Sequence, residues 1–252
     1  MNISDLSPYQ QYYLDGFYEG EFNINKDLDD LKSSLYSILE EDLKDGFHLD
    51  QKYPGTKDLR PNAYSYSKSF INILFSNNIP ELIKSLTGKN LTLSHLQVRT
   101  SSFKKSYMPW HRDSFVKDHE YIGPCPPGHK IIFYPMVGPG RPKLCVGKGS
   151  QLCTFRNQLS KHFIQDGCTN MDQQIMNGTE KKFYYSSFNR FILFNTGMLH
   201  SAVPEIENEK SIRIIYSFVE EFQFEELYSK KKLHSDLSDI YKTIKEKNDR
   251  VI

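Results

Sequence analysis

No stretch of these 252 residues is apolar for long enough to suggest a membrane span. The opening segment MNISDLSPYQQYYLDGFY also lacks the basic start and apolar run of a secretory leader, so the expected location is cytoplasmic, with no membrane partner. Cysteine is scarce. Cys125, Cys145, Cys153 and Cys168 are irregularly spaced with no Cys-x-x-Cys pair, which argues against a disulfide framework or a thiolate zinc site and predicts free thiols. Charge of one sign is missing as well: 32 basic and 31 acidic residues leave a formal charge of +1, which offers no basic surplus for nucleic acid. A chain of this length is expected to form one domain with a substantial core.

What the chain does have is a change of hydrophobic period near residue 91. Before it, residues 25–45 carry apolar side chains at 28, 31, 35, 38, 39 and 43, the spacing of an amphipathic helix, and Gly46 follows as a stop. Residues 51–66, with Pro54, Gly55 and Pro61, predict an irregular loop. Residues 67–86 predict a second helical stretch, interrupted at Asn77-Asn78 and restarted with Pro80 in a first turn. After it, LTLSHLQVRTSSF alternates, which predicts a strand with Leu91, Leu93, His95, Gln97 and Arg99 on one face and Thr92, Ser94, Leu96, Val98 and Thr100 on the other.

Further strands are predicted at 130–137, 143–146, 183–198 and 211–219, with a polar excursion at 155–182. The turn after His200 is short enough to predict an antiparallel pair that sets Arg213 on the strand beside His200. Gly147-Lys148-Gly149-Ser150 lacks the order of a phosphate-binding loop. Residues 114–128, crowded with Gly and Pro towards their end, are a candidate lid. Beyond 220 the spacing is helical. The expected plan is therefore mainly β with flanking α: a helical part to about residue 90, a β core over about 91–220 and a C-terminal helix over about 221–252.

The chemistry concentrates in Met108-Pro109-Trp110-His111-Arg112-Asp113. In an extended backbone His111 and Asp113 point one way and Arg112 the other. A second imidazole from His200 would complete a 2-His-1-carboxylate facial triad, the arrangement that holds Fe(II) and leaves three positions open. A 2-oxo acid can take two of those positions and dioxygen the third. The acid's far carboxylate then needs a planar, permanently charged partner, for which Arg213 is the candidate. A cupin-type metal-binding isomerase or metabolite-binding protein on a similar scaffold is the alternative, although such proteins usually offer more first-shell histidines.

These pieces together make the sequence resemble the Fe(II)/2-oxoglutarate-dependent dioxygenases of the phytanoyl-CoA dioxygenase-like family. The likeness runs through the Pro80-Glu81-Leu82-Ile83 helix and Leu86-Thr87-Gly88-Lys89-Asn90-Leu91, then His111-x-Asp113, Gly147-Lys148-Gly149-Ser150-Gln151, the segment LFNTGMLH at 193–200, and Arg213. It implies a double-stranded β-helix (jelly-roll) core with N-terminal helices, and oxidation, most often hydroxylation, of a small-molecule substrate coupled to decarboxylation of 2-oxoglutarate. It also implies that the strand before the metal strand neighbours the site, which brings in Gln97 and Thr100 as contacts. Between His200 and Arg213 lie 12 residues where the family has closer to ten, so Arg99 and Arg190 stand as alternative anchors.

Overall fold

In the computed structural model the change of period at residue 91 separates a mostly helical layer from two facing sheets. The structure describes residues 6–45, 56–59, 63–101, 110–113, 115–117, 120–122, 128–136, 141–152, 177–203, 211–221 and 232–249. The helices before residue 91 are α1 (Pro8–Asp15), α2 (Lys26–Asp45), α3 (Ala63–Tyr66), α4 (Ser69–Ser76) and α5 (Ile79–Thr87), and α6 (Lys232–Asp249) closes the chain. Leu28, Leu31, Leu35 and Ile38 of α2 are buried, as their spacing requires. Between α4 and α5 the chain breaks at Asn77-Asn78, where Asn78 takes a left-handed φ of 51°. No helix among the described residues is long and apolar enough to cross a membrane.

The helical layer also contributes two strands that the sequence reading did not foresee. β1 (Phe17–Glu21) and β2 (Thr56–Leu59) lie at the two edges of a six-stranded sheet, and β2 and α3 fall within the expected loop at 51–66. Short flanking segments of this kind close the ladder of unpaired N–H and C=O groups that a core strand would otherwise expose.

The core strands are β3 (Leu91–Ser101), β4 (Phe115–Lys117), β5 (Glu120–Ile122), β6 (His129–Phe133), β7 (Arg141–Gly147), β8 (Lys181–Ser186), β9 (Arg190–Asn195), β10 (His200–Ala202) and β11 (Ser211–Glu220). The large sheet runs β1-β9-β6-β11-β3-β2 and the small one β10-β7-β8, every pairing antiparallel, which with two layers of buried side chains makes a double-stranded β-helix. Between the sheets lie Ile132, Tyr134, Leu144, Val146, Tyr184, Ile192, Phe194, Met198 and Ile215. A second core, between the large sheet and the helices, takes Leu93, Leu96, Val98, Ile131, Phe133, Ile212, Ile214 and Phe218 from the sheet's other face. The expected single strand at 183–198 is two, β8 and β9, because residues 187–189 turn back and carry the chain from the small sheet to the large one.

Three further expectations change. Strict alternation fails on β3: the register slips so that Ser217 pairs with His95 and Phe218 with Leu93, and Ser94 Oγ donates to Ser217 O at 3.1 Å. The slip brings Leu91 and Leu93 into the same core as Leu96 and Val98 and leaves His95, Gln97 and Arg99 as the row opposite Ser217, Ile215 and Arg213. Second, β10 and β11 do not pair. β10 pairs with β7 in the small sheet, whereas β11 lies in the large one, paired along its whole length with β3 and over Ile214–Phe218 with β6, a ladder that three-residue β10 cannot offer. Arg213 therefore lies on the other sheet from His200 and not on a neighbouring strand. Third, the candidate lid contains a regular hairpin, β4 with β5, while residues 118–119 and 123–127 lie outside the described set. The excursion at 155–182 also lies largely outside it, as do Cys125, Cys153 and Cys168. Cys145 is free and buried.

Helix α1 is tied to this core by a buried pair. It opens with a capping box, Ser7 with Gln10, and ends at Gly16, whose φ of 83° and close approach to Gln151 and Met198 leave no room for a side chain. From its buried face Tyr12 Oη shares a 2.6 Å hydrogen bond with His129 Nδ1 at the start of β6. Burial, with a smaller push from Lys89, lowers the His129 pKa from 6.5 to about 3. Below pH 6.5 the unfolded chain takes up a proton that the folded chain refuses until about pH 3, so this residue withdraws stability as the pH falls through that window. We expect chemical denaturation between pH 7 and pH 5 to show a loss that His129→Gln reduces, by at most about 1.4 kcal/mol per pH unit. Equal slopes in parent and variant would remove His129 from the acid sensitivity.

Candidate metal centre

The centre is assembled by main-chain hydrogen bonds before any side chain acts. His111 N donates to His200 O and His200 N to His111 O, each at 3.0 Å, forming an isolated antiparallel bridge that extends the small sheet by one position. Two residues on, Asp113 N donates to Thr196 O at 3.0 Å. Thr196 is itself locked to Gly128 by N–H···O at 3.0 Å and by its hydroxyl, which accepts from Gly128 N at 2.9 Å. The expected outcome of an extended backbone follows: His111 and Asp113 share one side and Arg112 the other. Arg112 is buried, and its Nη1 donates to Ser150 O at 2.9 Å and to Gly197 O. Ser150 Oγ accepts from Leu199 N at 2.9 Å. One guanidinium thus clamps the turn after β7 to the turn before His200. The same contacts occupy the Gly147–Ser150 segment, where Lys148 pairs with Asp15 at 3.2 Å.

Three side chains meet in front of this scaffold. His111, Asp113 and His200 are buried, and one ligand atom from each lies within 4.8 Å of the others. Asp113 Oδ1 is 3.6 Å from His111 Nε2, and Oδ2 is 3.3 Å from His200 Nε2. Ligands held by bonds of roughly 2.1 Å at right angles are about 3 Å apart, so the spacing suits a first-row divalent cation on one face. The tautomer is suitable too. His200 Nδ1 lies 2.9 Å from Met198 O, which can only accept, so that nitrogen carries its N–H and Nε2, turned towards Asp113, is the nitrogen that would bind a metal. The imidazoles pack with ring centroids 4.2 Å apart, and Phe194 backs His200 at 4.8 Å.

A fourth residue joins them that the sequence reading passed over. Lys130, at the start of β6 and buried, donates from Nζ to Asp113 Oδ2 at 2.7 Å. Burial alone would raise the Asp113 pKa, but Lys130, then His200 and His111, overcome it and hold the carboxyl well below its usual range. Asp113 is therefore ionised, as a metal ligand must be. The clue in the sequence was a lysine heading the apolar run KIIFY, two and four residues before the inward Ile132 and Tyr134.

The candidate anchors separate clearly. Arg213 is buried and its Nη1 donates to Tyr134 Oη at 3.5 Å. Arg99 sits directly across from it in the β3–β11 register and is buried as well. Gln97 faces Ile215, which belongs to the core between the sheets. Thr100 pairs with Ile212, one position off that row. Arg190 is committed elsewhere, to Glu19 on β1, which removes it as an alternative anchor.

No protein-family model matches this sequence, and no curated protein matches it either. Solved structures do match. The non-heme alpha-ketoglutarate-dependent carbocyclase SnoK from nogalamycin biosynthesis aligns with a TM-score of 0.59 at 10% identity over 86% of this chain and 85% of its own. The epimerase SnoN in complex with Fe3+, alpha-ketoglutarate and nogalamycin RO aligns at 0.60 and 12%, covering 83% of this chain and 81% of its own. HygX from Streptomyces hygroscopicus with nickel, 2-oxoglutarate and hygromycin B bound aligns at 0.57 and 14%, covering 84% and 85%. This chain spans about half, 49%, of the length of EvdMO1, which aligns at 0.61 and 15% identity. Identities this low establish the shared fold: a double-stranded β-helix of the kind these enzymes use.

Proposed function

We propose that this protein is a non-haem iron enzyme that couples decarboxylation of 2-oxoglutarate to oxidation of a C–H bond in a small molecule. The observation that carries the reading is the buried His111–Asp113–His200 cluster, its ligand atoms within 4.8 Å and the His200 ring held with Nε2 towards the carboxylate. The likeness to SnoN and HygX, both solved with a metal and 2-oxoglutarate, supports the cofactor pair Fe(II) and 2-oxoglutarate. When bound, the iron and its co-substrate would activate dioxygen against an unactivated C–H bond. The alternative of a cupin-type isomerase or binding protein gains no support from these neighbours.

Each protein residue has a defined task in this reading. His111 and His200 present neutral nitrogens, and Asp113 presents one negative charge that offsets half of a ferrous ion's. Arg213, held in place by Tyr134, takes the far carboxylate of 2-oxoglutarate, with Arg99 opposite it and Gln97 beside it as further polar contacts. The apolar side chains of Ile132, Leu144, Val146 and Ile215 keep water away from the pocket between the sheets. Asp113 also fills the coordination position that a halide would need, so the product gains oxygen and not halogen, and hydroxylation is the expected outcome. SnoK is a carbocyclase and SnoN an epimerase on this same fold, so the outcome depends on how the substrate is held. Binding of hygromycin B by HygX and nogalamycin RO by SnoN supports a small-molecule substrate here.

Three results test the proposal. Metal analysis after anaerobic iron loading should find one equivalent in the parent and little in His111→Ala or His200→Ala; full occupancy in both variants would sink the assignment. Arg213→Ala should weaken 2-oxoglutarate binding by about 2–5 kcal/mol in calorimetry, because it leaves a desolvated carboxylate without its partner. Unchanged affinity would move the anchor to Arg99. Turnover of a candidate substrate under labelled dioxygen in chloride-rich buffer should add one labelled oxygen atom; loss of two hydrogens would reassign the reaction to desaturation or ring closure, and a chlorine isotope pattern would refute the role given to Asp113.

A further inference from the structure

Lys130 is an unusual neighbour for a metal ligand. Its ammonium lies 2.7 Å from Asp113 Oδ2, the same oxygen that stands 3.3 Å from His200 Nε2, so a fixed cation already occupies part of the carboxylate that a divalent ion must use. Two positive centres on one buried carboxylate repel each other strongly, since little water is present to screen them. The repulsion is relieved when an anion arrives beside both. The inward face of β6 indicates which anion. Lys130, Ile132 and Tyr134 alternate along it, and four residues of strand separate Lys130 from Tyr134 by roughly 13 Å. One end of that face is therefore cationic through Lys130, and the other through Arg213, which Tyr134 holds. A dicarboxylate laid along the face meets a positive charge at each end.

Resting on the iron and 2-oxoglutarate reading above, we propose that Lys130 is a positioning residue that couples the two binding events. It competes with the metal for Asp113 while the site holds no co-substrate, and it draws in the near carboxylate of 2-oxoglutarate once metal is bound. Lys130 also holds Oδ2, which leaves Oδ1, the oxygen turned towards His111, as the one that would take a metal. The device makes the protein a poor metal binder alone and a good one with co-substrate. Linkage then requires the reverse as well: 2-oxoglutarate binds tightly only where metal is present.

The test uses Mn(II), a redox-stable substitute for Fe(II), with the intact protein, and reads free Mn(II) by electron paramagnetic resonance with and without saturating 2-oxoglutarate. Lys130→Met, which shortens the side chain by one atom and removes the charge, should bind Mn(II) alone at least tenfold more tightly than the parent. The gain in Mn(II) affinity on adding 2-oxoglutarate should shrink at least tenfold. Lys130→Arg should behave like the parent in both respects. A merely structural lysine predicts the opposite sign, weaker Mn(II) binding in Lys130→Met; that result, or unchanged affinity in a variant whose circular dichroism matches the parent, overturns the proposal. Failure of the parent to bind Mn(II) even with saturating 2-oxoglutarate overturns the metal-site reading and this proposal with it, whereas parental binding with 2-oxoglutarate and no rise for Mn(II) alone in Lys130→Met overturns the coupling alone.

Discussion

Two main-chain hydrogen bonds between His111 and His200, each 3.0 Å, decide whether this protein has a site at all. They join a segment from the middle of the chain to one near its end, and they do so where the small sheet would otherwise stop. The imidazoles meet, tilted by 50° to one another, because their backbones are paired, and the carboxylate two residues on points to the same side because the backbone alternates. Everything behind this bridge secures it. Arg112 fastens the turns on either side, Thr196 and Gly128 fix Asp113 from below, and Ser150 satisfies Leu199 N. A polar group left unpaired at this depth would cost about 1–3 kcal/mol, so the network resists any rearrangement that would spread the ligands apart.

How much of this was legible in the sequence follows from how local each signal is. His111 and Asp113 could be placed on one side from spacing alone, and the period change at Leu91 marked the start of the sheet. The two-layer core followed from the resemblance and is present. What could not be read were the long-range choices. The length of the link after His200 suggested a hairpin, but turn length says nothing about which of two sheets the next strand joins, and β11 went to the large one. Segments as short as Phe17–Glu21, with a glycine and two glutamates in five residues, carry no alternation from which an edge strand could be inferred. Lys130 was invisible for a related reason: a lysine at the head of an apolar strand ordinarily marks its wet end, and only the fold shows that this end abuts Asp113.

The interior between the sheets has a charge pattern that apolar packing does not explain. Arg99 and Arg213 face the same side from adjacent strands, both buried, and Lys130 lies on the next strand over. Burying cations costs several kcal/mol each, which the protein tolerates only where hydrogen bonds or anions offset it. Tyr134 and Asp113 do part of this, and both are also components of the proposed anchor and metal site. The residues that offset these buried cations are therefore the ones that the proposed dianionic ligand and metal would engage.

The slip at Ser94 bears on how this strand can change over generations. Because β3 breaks its own alternation once, its two ends obey different parities: Leu91 and Leu93 on one side of Ser94 and Leu96 and Val98 on the other all reach the helices. Loss of a single codon between Ser94 and Arg99 with the slip retained would carry Arg99 off the row opposite Arg213 and into the apolar layer, whereas removal of the slip itself would leave both faces as they are. Gain of one codon with the slip retained would act as its loss does. Point substitutions can tune the polar row at His95, Gln97 and Arg99 one position at a time, but the reading frame of the strand is held fixed from both ends, by leucines on one and by the Arg99–Arg213 register on the other.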